Sequence, residues 1–95
     1  MYFVYLLASK KNGTLYIGLT NNLARRAAEH RSGQIPGFTA RYSVHDLVWY
    51  ETFERIDEAS AREKQLKGWN RAWKIKLIEE TNPQWREIAD TIPYT

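Results

Sequence analysis

Cysteine is absent from the 95 residues of this chain, which excludes a disulfide framework and any metal site built from thiolates. Long apolar runs are absent too, since no stretch approaches the ~20 residues that a membrane-spanning helix needs. The apolar start at residues 1–8 is followed, not preceded, by Lys10 and Lys11, which is unlike a secretory signal. We therefore expect a cytoplasmic protein without a membrane partner.

What the sequence does contain predicts one globular domain spanning residues 1–95. Apolar residues make up 43% of it, with four tryptophans and six tyrosines, which is enough for a single packed core. The net charge of +3 says little by itself, but basic residues are concentrated between residues 60 and 76, where the only acid is Glu63. These basic residues are Arg62, Lys64, Lys67, Arg71, Lys74 and Lys76. They can neutralise phosphates, although a solvated helix surface explains them equally well.

Apolar periodicity and turn residues predict the element order β-β-α-β-α-α with a short helix at the C-terminal end. Residues 2–7 are apolar, aromatic and β-branched, which favours a buried strand. The Asn12-Gly13 pair is a strong hairpin signal and leads into a return strand over residues 14–19. The first two strands should therefore form an antiparallel hairpin.

Capping residues and glycines set the bounds of the remaining elements. We predict a helix over 23–31, between the capping segment 20–22 and Gly33, followed by a loop over 34–42 and a strand over 47–53. The next helix runs from the N-cap Asp57 to Lys67, with Gly68 as its stop. A helix over 71–80 is capped by Asn70, and a short helix runs from Asn82-Pro83 through Ile88. The result is an α+β fold in which helices pack on a three-stranded sheet.

A polar residue interrupts the apolar face of the first helix. By the 3.6-residue period, that face carries Leu23, Ala27 and His30. Arg26 flanks the face and is a neighbour of His30, whereas Arg25 points in roughly the opposite direction. A lone histidine on such a face is usually a satisfied core residue, but here a guanidinium group lies beside it.

The second long helix has a similar anomaly. Its apolar stripe comprises Ile56, Ala59, Glu63 and Leu66, so a carboxylate stands where a hydrophobic residue is expected. A buried carboxylate without a partner costs several kcal/mol, and Glu63 therefore needs a cation, a set of donors or a metal ion. The ordinary explanation is a glutamate at the edge of the stripe that extends outwards.

Two tyrosines, Tyr5 and Tyr16, lie on the paired strands, where core packing is their usual role. Each anomaly thus has an ordinary structural explanation when it is taken alone. Together they favour a functional site, because local sequence rules tend to fail where function demands it.

The residues at these positions resemble the GIY-YIG nuclease family, and within it the small stand-alone bacterial proteins. Tyr16-Ile17-Gly18 keeps the second signature element intact, and Phe3-Val4-Tyr5 keeps only the tyrosine of the first. Arg26 falls on the family's catalytic arginine, and His30 on the histidine one helical turn later. Glu63 matches the metal-binding glutamate of the family.

The resemblance implies a three-stranded antiparallel sheet flanked by helices and a metal-dependent DNA endonuclease. Glu63 would hold one Mg²⁺ or Mn²⁺ ion that stabilises the leaving 3′ oxygen. Arg26 would donate to the non-bridging phosphate oxygens, which its forked guanidinium fits. The family also suggests a role in DNA repair or recombination.

Water activation falls to Tyr5 or Tyr16, on the expectation that nearby cations lower a tyrosine pKa from about 10. His30 either shares this role or hydrogen-bonds a tyrosine. The expected contacts with DNA are Arg41, Lys64, Lys67, Arg71 and Asn82, the last of which is a candidate for an asparagine that often follows in the family. The oligomeric state is expected to be a monomer or a weak dimer.

Two other functions fit the same residues. A catalytically weak nucleic-acid-binding module would use the same basic face, with Glu63 as a structural ion-pair partner. A protein-interaction domain would use Trp69, Trp73 and Trp85 as anchors, although core packing is their ordinary role. Metal-dependent nicking of DNA separates the first alternative from a nuclease, and a steep salt dependence of DNA affinity argues against the second.

Overall fold

The computed structural model describes residues 1–33 and 37–93. The elements are strands β1 (Tyr2–Ala8), β2 (Leu15–Thr20) and β3 (Asp46–Phe53), helices α1 (Leu23–Ser32), α2 (Phe38–Arg41), α3 (Ile56–Gly68) and α4 (Arg71–Thr81), and a 3₁₀ turn at Ala89–Thr91. All strand pairs are antiparallel and the sheet order is β2-β1-β3. The predicted α+β fold with a three-stranded antiparallel sheet is confirmed.

Strand β1 is the centre of the sheet and of the core. Its residues from Phe3 to Ala8 are all buried, which explains why the strand is a continuous apolar run rather than an alternating one. One face packs Val4, Leu6 and Ala8 against Leu66 of α3 and Ile78 of α4. Helices therefore cover this side of the sheet.

The opposite face of β1 packs Phe3, Tyr5 and Leu7 against Leu23 of α1 and against Val44. The sheet is thus a middle layer between two helical layers. Since β2 is an edge strand, its outer side borders both layers, and side chains from α1 and from α3 can meet there.

Helix α1 follows its sequence signals closely. The Asn22 side chain accepts a hydrogen bond from the backbone N–H of Arg25, at 3.2 Å, which satisfies one free donor of the first turn. Gly33 ends the helix with a left-handed φ of 75°, a conformation that glycine adopts without strain. The predicted helical phase is confirmed, because Leu23 and His30 are buried and Arg25 is exposed.

Helix α3 differs from its prediction at both ends. It begins at Ile56 with Arg55 as the N-cap residue, and Asp57 lies inside the first turn. The reason is that the Asp57 carboxylate accepts two hydrogen bonds from the Arg55 guanidinium, both at 3.0 Å, instead of capping the backbone. Gly68 is the last helical residue rather than the stop, and Trp69 is the C-cap.

Two further predictions are wrong. Residues 38–41 of the predicted loop 34–42 form α2, and residues 34–36 of that loop lie outside the described residues. The helix expected from Asn82-Pro83 through Ile88 does not form, because Trp85 adopts a φ of +57° that breaks helical geometry. Burial of the Trp85 ring, which is 6% exposed, stabilises this conformation instead.

Asn82 ties this irregular segment to the sheet. Its amide group donates to the carbonyl oxygens of Val48 and Arg86, and its side-chain oxygen accepts from the Arg86 N–H. The side chain is buried, so the prediction that Asn82 contacts DNA does not fit its structural role.

The three candidate anchor tryptophans have different environments. Trp85 is buried and Trp69 is partly buried against the core. Trp73 is 55% exposed and meets Trp69 edge to face, with ring centroids 5.9 Å apart. Core packing therefore explains two of the three, and Trp73 alone lies at the surface.

Candidate active site

A pocket of about 370 Å³ opens at the outer edge of β2. Its polar walls come from five elements and comprise Tyr5, Tyr16, Arg26, Glu63, Lys67 and Lys74. The edge strand itself supplies Gly18 and its apolar neighbours. Four of the five predicted catalytic residues thus share one solvent-accessible pocket, although they are far apart in the sequence.

Gly18 allows the Tyr5 ring to reach this pocket. The two residues are directly paired across β1 and β2. A Cβ atom on Gly18 would overlap the Cζ and hydroxyl oxygen atoms of Tyr5, so the ring occupies the space that any other residue would fill. The glycine of the second signature element therefore has a steric reason, which is the close passage of an aromatic side chain over the backbone.

His30 lies behind the two tyrosines and is 4% exposed. Its Nε2 atom is 3.2 Å from the Tyr5 hydroxyl, and its ring centroid is 5.5 Å from that of Tyr16. Its Nδ1 atom is 3.0 Å from the hydroxyl of Thr39 on α2. The prediction left open whether His30 acts as a base or bonds a tyrosine, and the geometry shows the bond to Tyr5.

Sequence reasoning missed Thr39, which lies in a segment predicted to be a loop. Its partner His30 is nine positions away on another helix, so no periodicity connects them. A possible signal was the need of a buried imidazole for partners at both nitrogen atoms, but that rule does not say which residue supplies them.

The pKa of Tyr5 moves in the direction opposite to the expected one. Burial raises the pKa of this phenol well above its usual value, and the neighbouring Tyr16 and Glu63 add to the rise. Arg26 lowers it, but not enough to compensate. Tyr5 is therefore a protonated phenol at neutral pH, and the expectation that cations convert it into an anionic base is wrong.

The pKa of His30 is lowered from its usual value. Burial is the main cause, and the positive charge of Arg26 contributes, while Glu29 opposes both. The imidazole is therefore neutral at neutral pH and keeps one nitrogen lone pair available for a proton.

Arg26 extends from α1 into the pocket as the helical phase predicted. Its side chain is 43% exposed, and Nη1 lies 3.4 Å from a carboxylate oxygen of Glu29. This half-exposed ion pair is weak and uses one nitrogen atom of the guanidinium group. The other N–H donors of the group are therefore suited to bind an incoming anion.

Glu63 enters the pocket from the α3 side with a side chain that is 21% exposed. Its Oε2 atom is 3.4 Å from the ammonium group of Lys67, one helical turn later. The predicted stripe holds at Ala59 and Leu66, which are buried. Ile56 is 49% exposed, however, because it is the first helical residue and lies beyond the core.

The donor set of the pocket limits the kind of metal that fits. Across the part of the chain that the structure describes, no three His, Asp or Glu side chains are grouped to enclose an ion. A single carboxylate beside an open pocket suits a hard cation such as Mg²⁺ or Mn²⁺, which keeps several waters and takes substrate phosphate as a ligand. The residues present fit such an ion, with Glu63 as the protein ligand.

The predicted DNA-binding residues fall into two groups. Lys67 lines the pocket, together with Lys74, which the sequence placed only in a general basic patch. Arg41 and Lys64 are exposed outside the pocket lining. Arg71 donates to the carbonyl oxygens of Asn12 and Gly13, both at 2.6 Å, and so connects α4 to the β1–β2 turn.

The model of the GIY-YIG catalytic domain matches residues 1–76, and the chain belongs to this family. Membership implies a metal-dependent, endonuclease-like function. Within the family, the chain is similar to proteins of the UPF0213 group. It is 37% identical over 79 residues to one from Staphylococcus haemolyticus, covering 83% of this chain and 95% of that protein.

A second relative, the UPF0213 protein of Clostridium perfringens, is 38% identical over 78 residues and is matched over 83% of its length, with 82% of this chain covered. The solution NMR structure of a UPF0213 protein from Bacillus halodurans superposes with a TM-score of 0.57 at 28% identity. That match covers 93% of this chain and 94% of the other. Within residues 1–33 and 37–93, no helix combines the length and apolar character that a membrane crossing requires.

Proposed function

We propose that this chain is a metal-dependent DNA endonuclease whose active site is the pocket at the edge of β2. The observation that supports the proposal most strongly is the meeting of Tyr5, Tyr16, Arg26 and Glu63 in one pocket. Phosphodiester hydrolysis needs charge neutralisation at phosphorus, an activated water and help for the leaving oxygen. This set of side chains supplies a group for each task.

Arg26 binds the scissile phosphate. A guanidinium group donates two parallel hydrogen bonds to phosphate oxygens, which a lysine cannot do. The half-exposed Arg26 meets the phosphate from the α1 wall, and its ion pair with Glu29 keeps the side chain directed along that wall before substrate arrives.

Glu63 lines the same pocket from the α3 wall and would hold one Mg²⁺ or Mn²⁺ ion. A metal ion held there would supply positive charge for the leaving 3′ oxygen. Lys67 pairs with Glu63 without the ion and contributes a second positive charge to the same wall. The phosphate therefore lies between positive charges on both sides.

Two routes lead the proton away from the attacking water. Tyr16 lines the pocket and is partly exposed, which makes it one acceptor. The second route passes through Tyr5, whose hydroxyl hydrogen-bonds His30. Because its pKa is raised, Tyr5 accepts the water's proton only as it gives its own proton to the neutral imidazole.

DNA binding then depends on the basic residues around the pocket. Lys67 and Lys74 contact the phosphates next to the scissile bond, while Arg41, Lys64 and Arg71 contact the backbone further away. The described residues form one such site, so each chain cuts one strand at a time, as a monomer or within a weak dimer. A role in DNA repair or recombination stays a prediction from the family.

The test compares Glu63→Gln with Glu58→Gln, an exposed glutamate on the same helix. We expect Glu63→Gln to lower Mg²⁺- or Mn²⁺-dependent nicking of plasmid and branched DNA by at least about 100-fold, by analogy with the loss of one transition-state contact. DNA affinity measured in EDTA should stay near that of the wild type. The Glu58→Gln variant should cleave normally.

Two outcomes contradict the proposal. Undiminished cleavage by Glu63→Gln removes this carboxylate from the mechanism. Salt-sensitive DNA binding by the wild type without any metal-dependent nicking supports the alternative, which is a nucleic-acid-binding module in which Glu63 and Lys67 form a structural ion pair.

A further inference from the structure

Thr39 occupies a buried position whose hydroxyl group has a specific partner. The residue is 3% exposed, and its Oγ1 atom is 3.0 Å from His30 Nδ1. Its carbonyl oxygen accepts a hydrogen bond from the N–H of Val44, at 2.9 Å, and Val44 is fully buried in the core. The threonine is thus fixed by the core on one side and meets the imidazole on the other.

The two hydroxyl groups at His30 are chemically unequal. A neutral imidazole has one N–H donor and one acceptor nitrogen, so one hydroxyl must donate to it and the other must accept. A phenol is more acidic than an aliphatic alcohol and is the better donor. Tyr5 therefore donates to Nε2, and the proton of the imidazole stays on Nδ1, where it is donated to Thr39 Oγ1.

We propose that Thr39 is a positioning residue that holds His30 in the Nδ1–H tautomer, with the Nε2 lone pair directed at the Tyr5 hydroxyl. The inference rests on the proposed nuclease function and extends it to a residue outside the pocket. Thr39 acts through His30 and does not touch the substrate.

The proton balance of the water-activation step follows from this arrangement. One O–H bond of the water breaks as a new O–H bond forms on Tyr5. The original O–H bond of Tyr5 breaks as an N–H bond forms at His30 Nε2. The hydroxide forms a bond to phosphorus as the bond between phosphorus and the 3′ oxygen breaks, and the leaving 3′ oxygen takes a proton from solvent water in the open pocket. The imidazolium keeps its Nδ1–H bond to Thr39, which favours the charged ring.

The test uses Thr39→Val, which keeps the shape and removes the hydroxyl, and Thr39→Ser, which keeps the hydroxyl and removes the methyl group. Thr52→Val on the exposed side of β3 is the matched control. The first readout is the tautomer of His30 by ¹⁵N NMR on the DNA-free protein, with His45→Gln used to assign the second histidine. We expect Nδ1–H in the wild type and in Thr39→Ser, and a mixture of tautomers in Thr39→Val.

The second readout is steady-state cleavage. We expect Thr39→Val to lower kcat by about 10- to 100-fold, by analogy with the loss of groups that orient metal-bound histidines, with KM nearly unchanged. Thr39→Ser should restore most of the rate, which a role in packing alone would not explain. Thr52→Val should match the wild type.

The outcomes separate the two proposals. A Thr39→Ser variant as slow as Thr39→Val, or a Thr39→Val variant with the wild-type tautomer, would overturn the positioning role. A third outcome is that neither the wild type nor any variant cleaves DNA, while Thr39→Val alone changes the tautomer of His30. In that case the nuclease assignment fails and the positioning of His30 by Thr39 stands.

Discussion

Replacing Gly18 with alanine should destabilise the protein and displace Tyr5. The new Cβ atom would lie within 3.0 Å of three atoms of the Tyr5 side chain, which are two ring carbons and the hydroxyl oxygen, and this side chain is rigid. The ring has nowhere to retreat, because Tyr5 is 2% exposed and is bonded to His30. Overpacking of this kind costs about 1–3 kcal/mol. In a domain of this size that corresponds to a fall in Tm of roughly 5–20 °C.

Thermal unfolding followed by circular dichroism measures this loss, and Gly68→Ala is the control. Gly68 is the last residue of α3, and a Cβ atom there meets nothing within 4 Å. Since alanine is the better helix former, Gly68→Ala should leave the free energy of unfolding unchanged or raise it by up to about 1 kcal/mol.

A double-mutant cycle identifies the clash as the cause. The cost of Gly18→Ala should largely disappear in a Tyr5→Leu background, where the ring is absent. An unchanged Tm for Gly18→Ala, or an equal loss in both backgrounds, would refute the argument that the glycine makes room for Tyr5. Cleavage by Gly18→Ala, measured below its Tm, should fall as well because the Tyr5 hydroxyl shifts.

Two more predictions concern α1. Arg26→Ala should lose more turnover than any other single replacement of a basic residue, whereas the exposed Arg25→Ala should cleave like the wild type; equal losses would contradict the assignment of the pocket-facing arginine. The lowered pKa of His30 makes stability depend on pH. The unfolded chain binds a proton at His30 from about pH 6.5 downwards, before the folded protein does, so stability falls as the pH drops through that range. The Tm of wild type should therefore decrease more steeply between pH 7.5 and 5.5 than that of His30→Gln, and equal slopes would show that His30 is not responsible.

The sequence predicted those parts of the fold that depend on local chemistry. The apolar run of β1, the Asn12-Gly13 turn, the capping segment 20–22 and the cap Asn70 act within a few residues, and each was located correctly; within the segment it is Asn22 that caps α1. Helix α2 has four residues, which is too short for a periodic pattern to appear. Pro36 and Gly37 instead favour a loop over residues 34–42.

The helix predicted for the C-terminal segment was wrong because tertiary contacts override the local sequence signal. An asparagine followed by proline favours the start of a helix. The Asn82 amide instead donates hydrogen bonds to the carbonyl oxygens of Val48 in β3 and of Arg86. Burial of Trp85 then stabilises a backbone conformation that no helix contains. Neither contact has a counterpart in the local sequence.

Part of the site could be predicted, because some of its residues interrupt the local sequence pattern. Arg26, His30 and Glu63 stand out because each is polar and lies on or beside an apolar face of a helix. The raised pKa of Tyr5 could not be predicted, since its largest cause is how deeply the phenol is buried, and the nearby charges contribute less. The contact of Thr39 with His30 depends on the packing of α2 near α1, which the sequence does not predict.

The position of the pocket along β2 has a consequence for how the protein behaves at high concentration. An outermost strand exposes backbone donors and acceptors that invite pairing with a strand from another molecule. Here Arg26, Glu63, Lys67 and Lys74 surround that strand, and any neighbour that docks there must bury several charges of both signs. The groups suited to a phosphodiester thus also discourage self-association, so variants that neutralise several of them should aggregate more readily than their unfolding temperatures alone would suggest.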